Sequence, residues 1–153
     1  MHVMTKYLDT RKATINALCD YQAMEHLAGG ASDAEKEMLR QDLACPASPA
    51  MDGLPRAHDP HAGEQRLAAT LDKINLISEQ QAQARQYLDW FFPARATLTD
   101  DERFILETFY LGQGSQEDRV AQLADHYYIE KDSVYRRKNR ALDRFTVALY
   151  GRF

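Results

Sequence analysis

A seven-residue repeat between positions 64 and 92 limits the fold of this chain more than any other part of its sequence. The repeat consists of Leu67, Ile74, Gln81 and Leu88, with Ile77, Ala84 and Phe91 at the intervening positions. This spacing places the side chains along one face of an α-helix, as in a coiled coil or a helical hairpin. The pattern therefore predicts a long helix over residues 64–92. Its partner is either the first helix of the same chain or the same helix of a second subunit.

The sequence predicts specific roles for two residues in or next to this segment. Gln81 is a polar residue at a seam position. It either fixes the register of the helix pairing or is a glutamine tolerated at the surface. Pro93 is expected to end the helix, because its ring and its missing N–H prevent the next turn from forming.

The N-terminal part of the chain predicts two shorter helices and a linker. An apolar spacing over residues 5–27, followed by two glycines, indicates the first helix. Ser32 precedes Glu35 by three residues, the spacing of a capping box, and predicts a second helix that ends near residue 43. Prolines and glycines then exclude a continuous helix or strand over residues 44–63, which we interpret as a linker.

Three helices are predicted after the long one. Thr99 and Glu102 have the spacing of a capping box before an apolar run that Gly112 closes. Ser115 and Asp118 offer an N-terminal cap for the next helix. A short break separates that helix from the last one.

These elements predict an all-α fold. No segment alternates polar and apolar residues as a half-buried strand does. We expect an N-terminal helical hairpin or coiled-coil part, followed by a C-terminal helix-turn-helix domain. The expected divisions are residues 1–43 for the N-terminal helices, 44–63 for the Pro-rich linker, 64–92 for the long helix and 98–153 for the helix-turn-helix domain.

Composition argues against several classes of protein. Apolar residues make up 44% and charged residues 27% of the chain, which is ordinary for a globular protein. No stretch approaches the roughly 18 apolar residues of a membrane span, and the N-terminal residues lack the apolar centre of a signal peptide. We therefore expect a cytoplasmic protein with no membrane partner.

No metal site, cofactor or enzyme activity is expected. Cys19 and Cys45 lie far apart and outside metal-ligand spacing, so both are expected to be free thiols. His58 and His61 form an HxxH pair in a Pro-rich stretch, and this spacing alone is weak evidence for a metal site. The glycine loop that begins at Gly112 is too short for a nucleotide-binding motif, and no nucleophile with a base is apparent.

Charge is distributed unevenly along the chain. Residues 131–153 contain seven cations and two anions, a net charge of +5, whereas the whole chain carries −4, so residues 1–130 carry −9. Positive charge gathered at one end of an acidic chain is typical of an element that binds a polyanion. An exposed structural helix can also carry such a run, since the helix macrodipole favours cations near its C-terminus.

The segment VAQLADHYYIEKDSVYRRKN has the spacing of a helix-turn-helix. Two short helices that cross steeply need a small residue at their closest approach and apolar residues on both inner faces. Ala124 is the small residue, and Ile129 is expected to fill the corner between the helices. The apolar positions are Leu123, Tyr127, Ile129 and Val134.

The last helix separates into two faces. An inner stripe is formed by Val134, Ala141, Leu142 and Phe145. The opposite face is polar and basic. If it enters a DNA major groove, side chains near the start of the helix reach base edges, and those on the flanks contact phosphates. The residues predicted to bind DNA are Lys131, Asp132, Ser133, Tyr135, Arg136, Arg137, Lys138, Asn139, Arg140 and Arg144.

The segment LTDDERFILETFYL, a loop and VAQLADHYYIEKDSVYRRKNRAL together resemble the helix-turn-helix of region four of bacterial sigma factors. They resemble more closely the phage-encoded transcriptional regulators of the ArpU/RinA type. This resemblance implies a regulator that binds promoter or operator DNA of a phage or prophage and activates late, packaging or lysis genes, with RNA polymerase as a candidate partner. The recognition positions that it implies are Lys131, Asp132, Tyr135, Arg136 and Arg140.

The motif departs from the family pattern at three positions. Tyr128 stands at the turn position where glycine is preferred, because the backbone there often adopts a positive φ. Arg137 replaces an apolar residue that is usual on the inner face. Glu130 replaces the usual serine at the N-cap of the last helix.

Two other functions fit the same sequence. A phage DNA-packaging recognition subunit, similar to a small terminase, would also combine a helix-turn-helix with an oligomerising helix. A helical interaction module would instead bind a partner protein, or a second copy of the chain as a homo-oligomer, through residues 64–92. The face available for this contact carries Leu67, Ile74, Ile77 and Leu88.

Overall fold

A computed structural model describes residues 9–45 and 61–151 of the chain. Over these residues it contains six α-helices and no β-strand, which confirms the predicted all-α fold. The helices are α1 (Thr10–Ala28), α2 (Gly30–Ala44), α3 (Ala62–Ala96), α4 (Asp100–Leu111), α5 (Gln116–Tyr127) and α6 (Lys131–Tyr150). None of these helices is long and apolar enough to cross a membrane. Most of the predicted linker, including His58, lies outside the described residues, as does the start of the first predicted helix.

The described residues form two compact units. The helix-turn-helix unit comprises residues 9–23 and 87–151, and the hairpin unit comprises residues 24–45 and 61–86. Most of α1, residues 10–23, therefore belongs to the same unit as the C-terminal helices, which the sequence did not indicate.

Aromatic side chains form the main core of the helix-turn-helix unit. Phe91 of α3 and Phe145 of α6 are fully buried, with ring centroids 5.5 Å apart. Phe91 also stacks on Tyr21 of α1 at 5.2 Å. The hydroxyl of Tyr87 donates a hydrogen bond to the carbonyl of Ala17. Because large buried rings contribute most of the apolar area of a core, these contacts hold α1, α3 and α6 together.

A second apolar cluster lies between α4, α5 and α6. Leu123 is fully buried, and Ile129 packs against the cluster from the turn, as predicted. The cluster fixes the positions of α5 and α6 relative to each other. Its buried members are Ile105, Phe109, Val120, Leu123 and Val134.

Reciprocal capping boxes open α4 and α5. The Thr99 hydroxyl accepts a hydrogen bond from the Glu102 N–H at 3.2 Å, and the Glu102 carboxylate accepts one from the Thr99 N–H at 2.9 Å. Ser115 and Asp118 form the same pair of bonds at 3.2 and 3.1 Å. The start of α4 is confirmed as predicted, and the predicted cap of α5 is a complete capping box.

The prediction that Pro93 ends the long helix is wrong. α3 continues through Pro93 to Ala96. A proline inside a helix removes one backbone hydrogen bond and crowds the preceding turn. Here only one turn follows it, and that turn contributes the buried Ala94 to the core. The packing of Ala94 in the core therefore offsets the free-energy cost of the lost backbone hydrogen bond.

The prediction that Ser32 caps the second helix is also wrong. The N-cap of α2 is Gly29, which has no side chain to form a capping bond. Ser32 lies inside the helix and is buried, and its hydroxyl donates to the carbonyl of Leu27 at 2.7 Å. The serine hydroxyl is thus bonded to the preceding segment instead of the first turn of α2.

Within the hairpin unit, α2 and the first part of α3 run antiparallel. Gln81 is only 3% exposed. Its amide group donates to Asp33 at 3.1 Å, and its carbonyl oxygen accepts from the Lys36 ammonium at 2.7 Å. At the other end of the hairpin, Arg66 donates to the carbonyl of Asp42 at 3.0 Å. Gln81 is therefore a buried partner of α2 and not a surface glutamine. The first part of the long helix pairs with α2, the second helix of the chain, and not with the first helix as predicted; its last turns contact α1.

Candidate nucleic-acid interface

A three-residue turn joins α5 to α6. Its first residue, Tyr128, has φ 52° and ψ 46°, the left-handed conformation expected at this position. The Ile129 N–H donates to the carbonyl of Ala124 at 3.0 Å, which closes the end of α5. Glu130 follows as the N-cap of α6 and makes no side-chain capping bond. The turn thus places α6 directly after α5 at the cost of a strained tyrosine.

Tyr128→Gly is expected to raise the free energy of unfolding by about 1 kcal/mol. The left-handed conformation costs a residue with a β-carbon roughly 1–2 kcal/mol, and the greater freedom of glycine in the unfolded chain offsets part of this gain. The Tyr128 side chain is 95% exposed, so its removal loses little packing. Urea unfolding measures the change. Tyr128→Ala, which keeps the β-carbon, should have nearly the same free energy of unfolding as the native chain. A loss of stability in Tyr128→Gly would show that the backbone of Tyr128 is not strained.

The predicted division of α6 into two faces is present in the structure. Val134, Ala141, Leu142 and Phe145 are all buried, which confirms the inner stripe. On the other side, exposed side chains follow one another at helical spacing from the first turn onward. The recognition face consists of the exposed residues Asp132, Arg136 and Arg140, which follow one another four residues apart, with Tyr135 at its margin and the exposed Lys131 on an adjoining side of the first turn.

Lys138 lies toward the inner side of α6 and not on an exposed flank. Its ammonium is 4.6 Å from the centre of the Phe109 ring and 5.8 and 5.9 Å from those of Tyr135 and Tyr110. Burial lowers the pKa of Lys138, and the positive charge of Arg11 lowers it further. The three rings stabilise the partly desolvated ammonium. Lys138 therefore packs α6 onto α4, and a DNA phosphate would have to draw it out of this position.

Arg137 and Arg144 lie on the flank of α6 and remain exposed. The Arg137 guanidinium is 5.2 Å from the centre of the Tyr127 ring, so it stacks at the surface and does not enter the core. Arg144 donates to both carboxylate oxygens of Glu102, at 3.1 and 3.2 Å. Burial would raise the pKa of Glu102, but the hydrogen bonds from Thr99 and Arg144 outweigh it and lower the pKa. A phosphate near Arg144 would compete with this carboxylate.

Ser133 and Asn139 are half-buried. The Ser133 N–H donates to the carbonyl of Glu130 at 2.9 Å in the first turn of α6. The side-chain oxygen of Asn139 accepts a hydrogen bond from Arg11 of α1 at 2.7 Å. Arg11 is not among the residues predicted from the sequence, because no local pattern brings residue 11 to residue 139. The structure thus leaves some of the predicted side chains exposed and holds Lys138, Asn139 and Arg144 in contacts within the chain.

The described residues show no cluster of three or more histidine, cysteine or acidic side chains that could hold a metal ion. Cys19 and Cys45 are exposed free cysteines.

Comparison with known proteins identifies no relative. No protein-family model matches the chain, and neither the curated proteins nor the solved structures contain a match. The likeness to phage regulators therefore stays a prediction. The proposed function is based on the geometry of α4, α5 and α6.

Proposed function

We propose that this protein binds double-stranded DNA sequence-specifically as a transcriptional regulator, with the start of α6 in the major groove. The observation that carries the proposal is the recognition face together with the adjoining first turn, where the cations Lys131, Arg136 and Arg140 are exposed on a helix that follows a three-residue turn. An α-helix about 10–12 Å wide fits a major groove about 12 Å wide. Arginine can donate two hydrogen bonds to guanine, and a carboxylate such as Asp132 can accept one from cytosine.

Firm anchoring of α6 supports this proposal. Val134 on its first turns and Phe145 near its end are buried in separate apolar clusters. Lys138 adds a cation–π contact with Phe109 of α4 between them. A helix held at several points presents its outer side chains in a fixed arrangement, and such preorganisation reduces the entropy lost on binding.

The biological role that we propose follows from the sequence motif. The resemblance to phage-encoded regulators suggests an activator of late, packaging or lysis genes in a phage or prophage, with RNA polymerase as a partner. A packaging subunit would use the same helix on a different DNA site. The DNA sequence that the protein selects therefore distinguishes these two roles.

One observation favours a second function, the binding of a protein partner or of a second copy of the chain. Leu67 and Leu71 on α3 are 47% and 46% exposed, although Ile74 and Gln81 of the predicted seam are buried. Exposed leucines four residues apart form a short apolar strip that another helix can cover. Light scattering would show whether this strip forms a homo-oligomer. A Leu67→Glu variant that leaves the measured mass unchanged would exclude self-association through it.

DNA selected from a random duplex library by the native chain is expected to contain a common site. The chain should then bind that site at least about 1,000-fold more tightly than a scrambled duplex, the lower end of the range for specific DNA-binding proteins. Fluorescence anisotropy measures both affinities. Equal binding of the two duplexes would mean that the basic helix is a general polyanion-binding surface and that the regulator proposal is wrong.

A further inference from the structure

Arg11 brings a cation of α1 onto the outer side of α6. Its guanidinium donates to the side-chain oxygen of Asn139 at 2.7 Å and to the Asp143 carboxylate at 3.2 Å. Asp143 lies seven residues, or about two helical turns, after Arg136, so both lie on the same side of the helix. Arg11 therefore extends the line of the recognition face toward its C-terminal end.

We propose that Arg11 contacts a DNA phosphate and that α1 is part of the DNA-binding surface. This inference rests on the proposed function. When a helix lies in the major groove, the DNA phosphates stand beside it along both walls of the groove. A guanidinium carried by a neighbouring helix lies farther from the α6 axis than the side chain to which it is bonded. It is therefore well placed for the phosphate backbone.

The chemistry of Arg11 suits a second partner. A guanidinium has five N–H donors, and among the described residues Arg11 uses its two terminal nitrogens for Asn139 and Asp143. Its side chain is 46% exposed. Arginine also binds phosphate oxygens in a forked geometry that lysine cannot reproduce. The contacts with α6 thus orient the guanidinium and leave donors available.

A purely electrostatic role is the alternative that an experiment must exclude. Asp143 places a negative charge on the side of α6 that carries Arg136, and Arg11 neutralises it. In that case Arg11 would favour DNA binding without touching DNA. The exposed ion pair itself contributes little to folding, so substitutions of either partner leave the unit folded.

A double-mutant cycle with Arg11→Gln and Asp143→Asn separates the two roles. A phosphate contact predicts that Arg11→Gln weakens duplex DNA binding about fivefold near 0.1 M salt and reduces the log–log salt slope by about 0.9. It predicts the same loss when Arg11→Gln is added to Asp143→Asn. Arg40→Gln, which removes an exposed arginine paired with Glu37 on α2, is the matched control and should bind like the native chain.

Each other result of the cycle overturns the inference. If the double variant binds as tightly as Asp143→Asn, Arg11 acts only by neutralising the carboxylate. If Arg11→Gln retains the native DNA affinity and salt slope, the Arg11 side chain has no role in binding. Failure of the proposed function is recognised separately, since the native chain would then not bind duplex DNA, and the inference about Arg11 would fall with it.

Discussion

Replacing Phe145 by alanine is expected to lower the free energy of unfolding by about 3–5 kcal/mol, the usual cost of truncating a buried aromatic ring. Phe145 is fully buried and meets Phe91 edge to face at 5.5 Å. Its removal leaves a cavity in the cluster that joins α6 to α1 and α3. Because a domain of this size is stable by only about 5–15 kcal/mol, a large part of its stability would be lost.

Urea unfolding followed by far-UV circular dichroism measures this change. Val147→Ala is the matched control, since Val147 lies on the same helix and is 40% exposed. Its substitution should change stability by less than about 1 kcal/mol. If Phe145→Ala were no more destabilising than Val147→Ala, the core would not be centred on this ring.

Reversing the charges of Arg136 and Arg140 together is expected to weaken duplex DNA binding by about 100-fold or more. Each bidentate contact of an arginine with a base is worth about 1–3 kcal/mol, and two carboxylates in place of two cations add repulsion from the DNA phosphates. Both side chains are exposed. The thermal stability of Arg136→Glu/Arg140→Glu should therefore stay close to that of the native chain, and anisotropy titrations would report the loss of binding.

A second double variant controls for net charge. Arg40→Glu with Lys73→Glu makes the same change in net charge at exposed positions of the hairpin unit. Its DNA affinity should stay within a few-fold of the native value, because neither residue belongs to the recognition face. If both double variants lose binding equally, the recognition face has no special role.

Local signals explain what the sequence predicted correctly. The capping boxes at Thr99 and Ser115 each depend on two residues three positions apart. The buried stripe from Val134 to Phe145 depends on helical periodicity alone. The positive φ at Tyr128 follows from the geometry of a short turn between two helices. Interactions of this range can be read from the sequence without knowledge of the tertiary structure.

The features that the sequence did not predict depend on long-range packing. Arg11 meets Asn139 across 128 positions, and Lys138 turns inward because the rings of α4 lie beneath it. Pro93 remains inside α3 since the following turn is held in the core. Gln81 is buried because α2 covers it and supplies its hydrogen-bond partners. In each case a contact between residues far apart in the sequence determines which of the locally possible conformations or partners is adopted.

The dependence of duplex DNA affinity on salt tests the central claim most directly. If three cations of α6 neutralise DNA phosphates, the log of the association constant should fall with the log of the salt concentration with a slope of about −2.7, at roughly 0.9 for each contact. Anisotropy titrations of the native chain between about 50 and 200 mM salt give this slope. A slope near zero, or no binding to any duplex by the folded chain, would contradict the account.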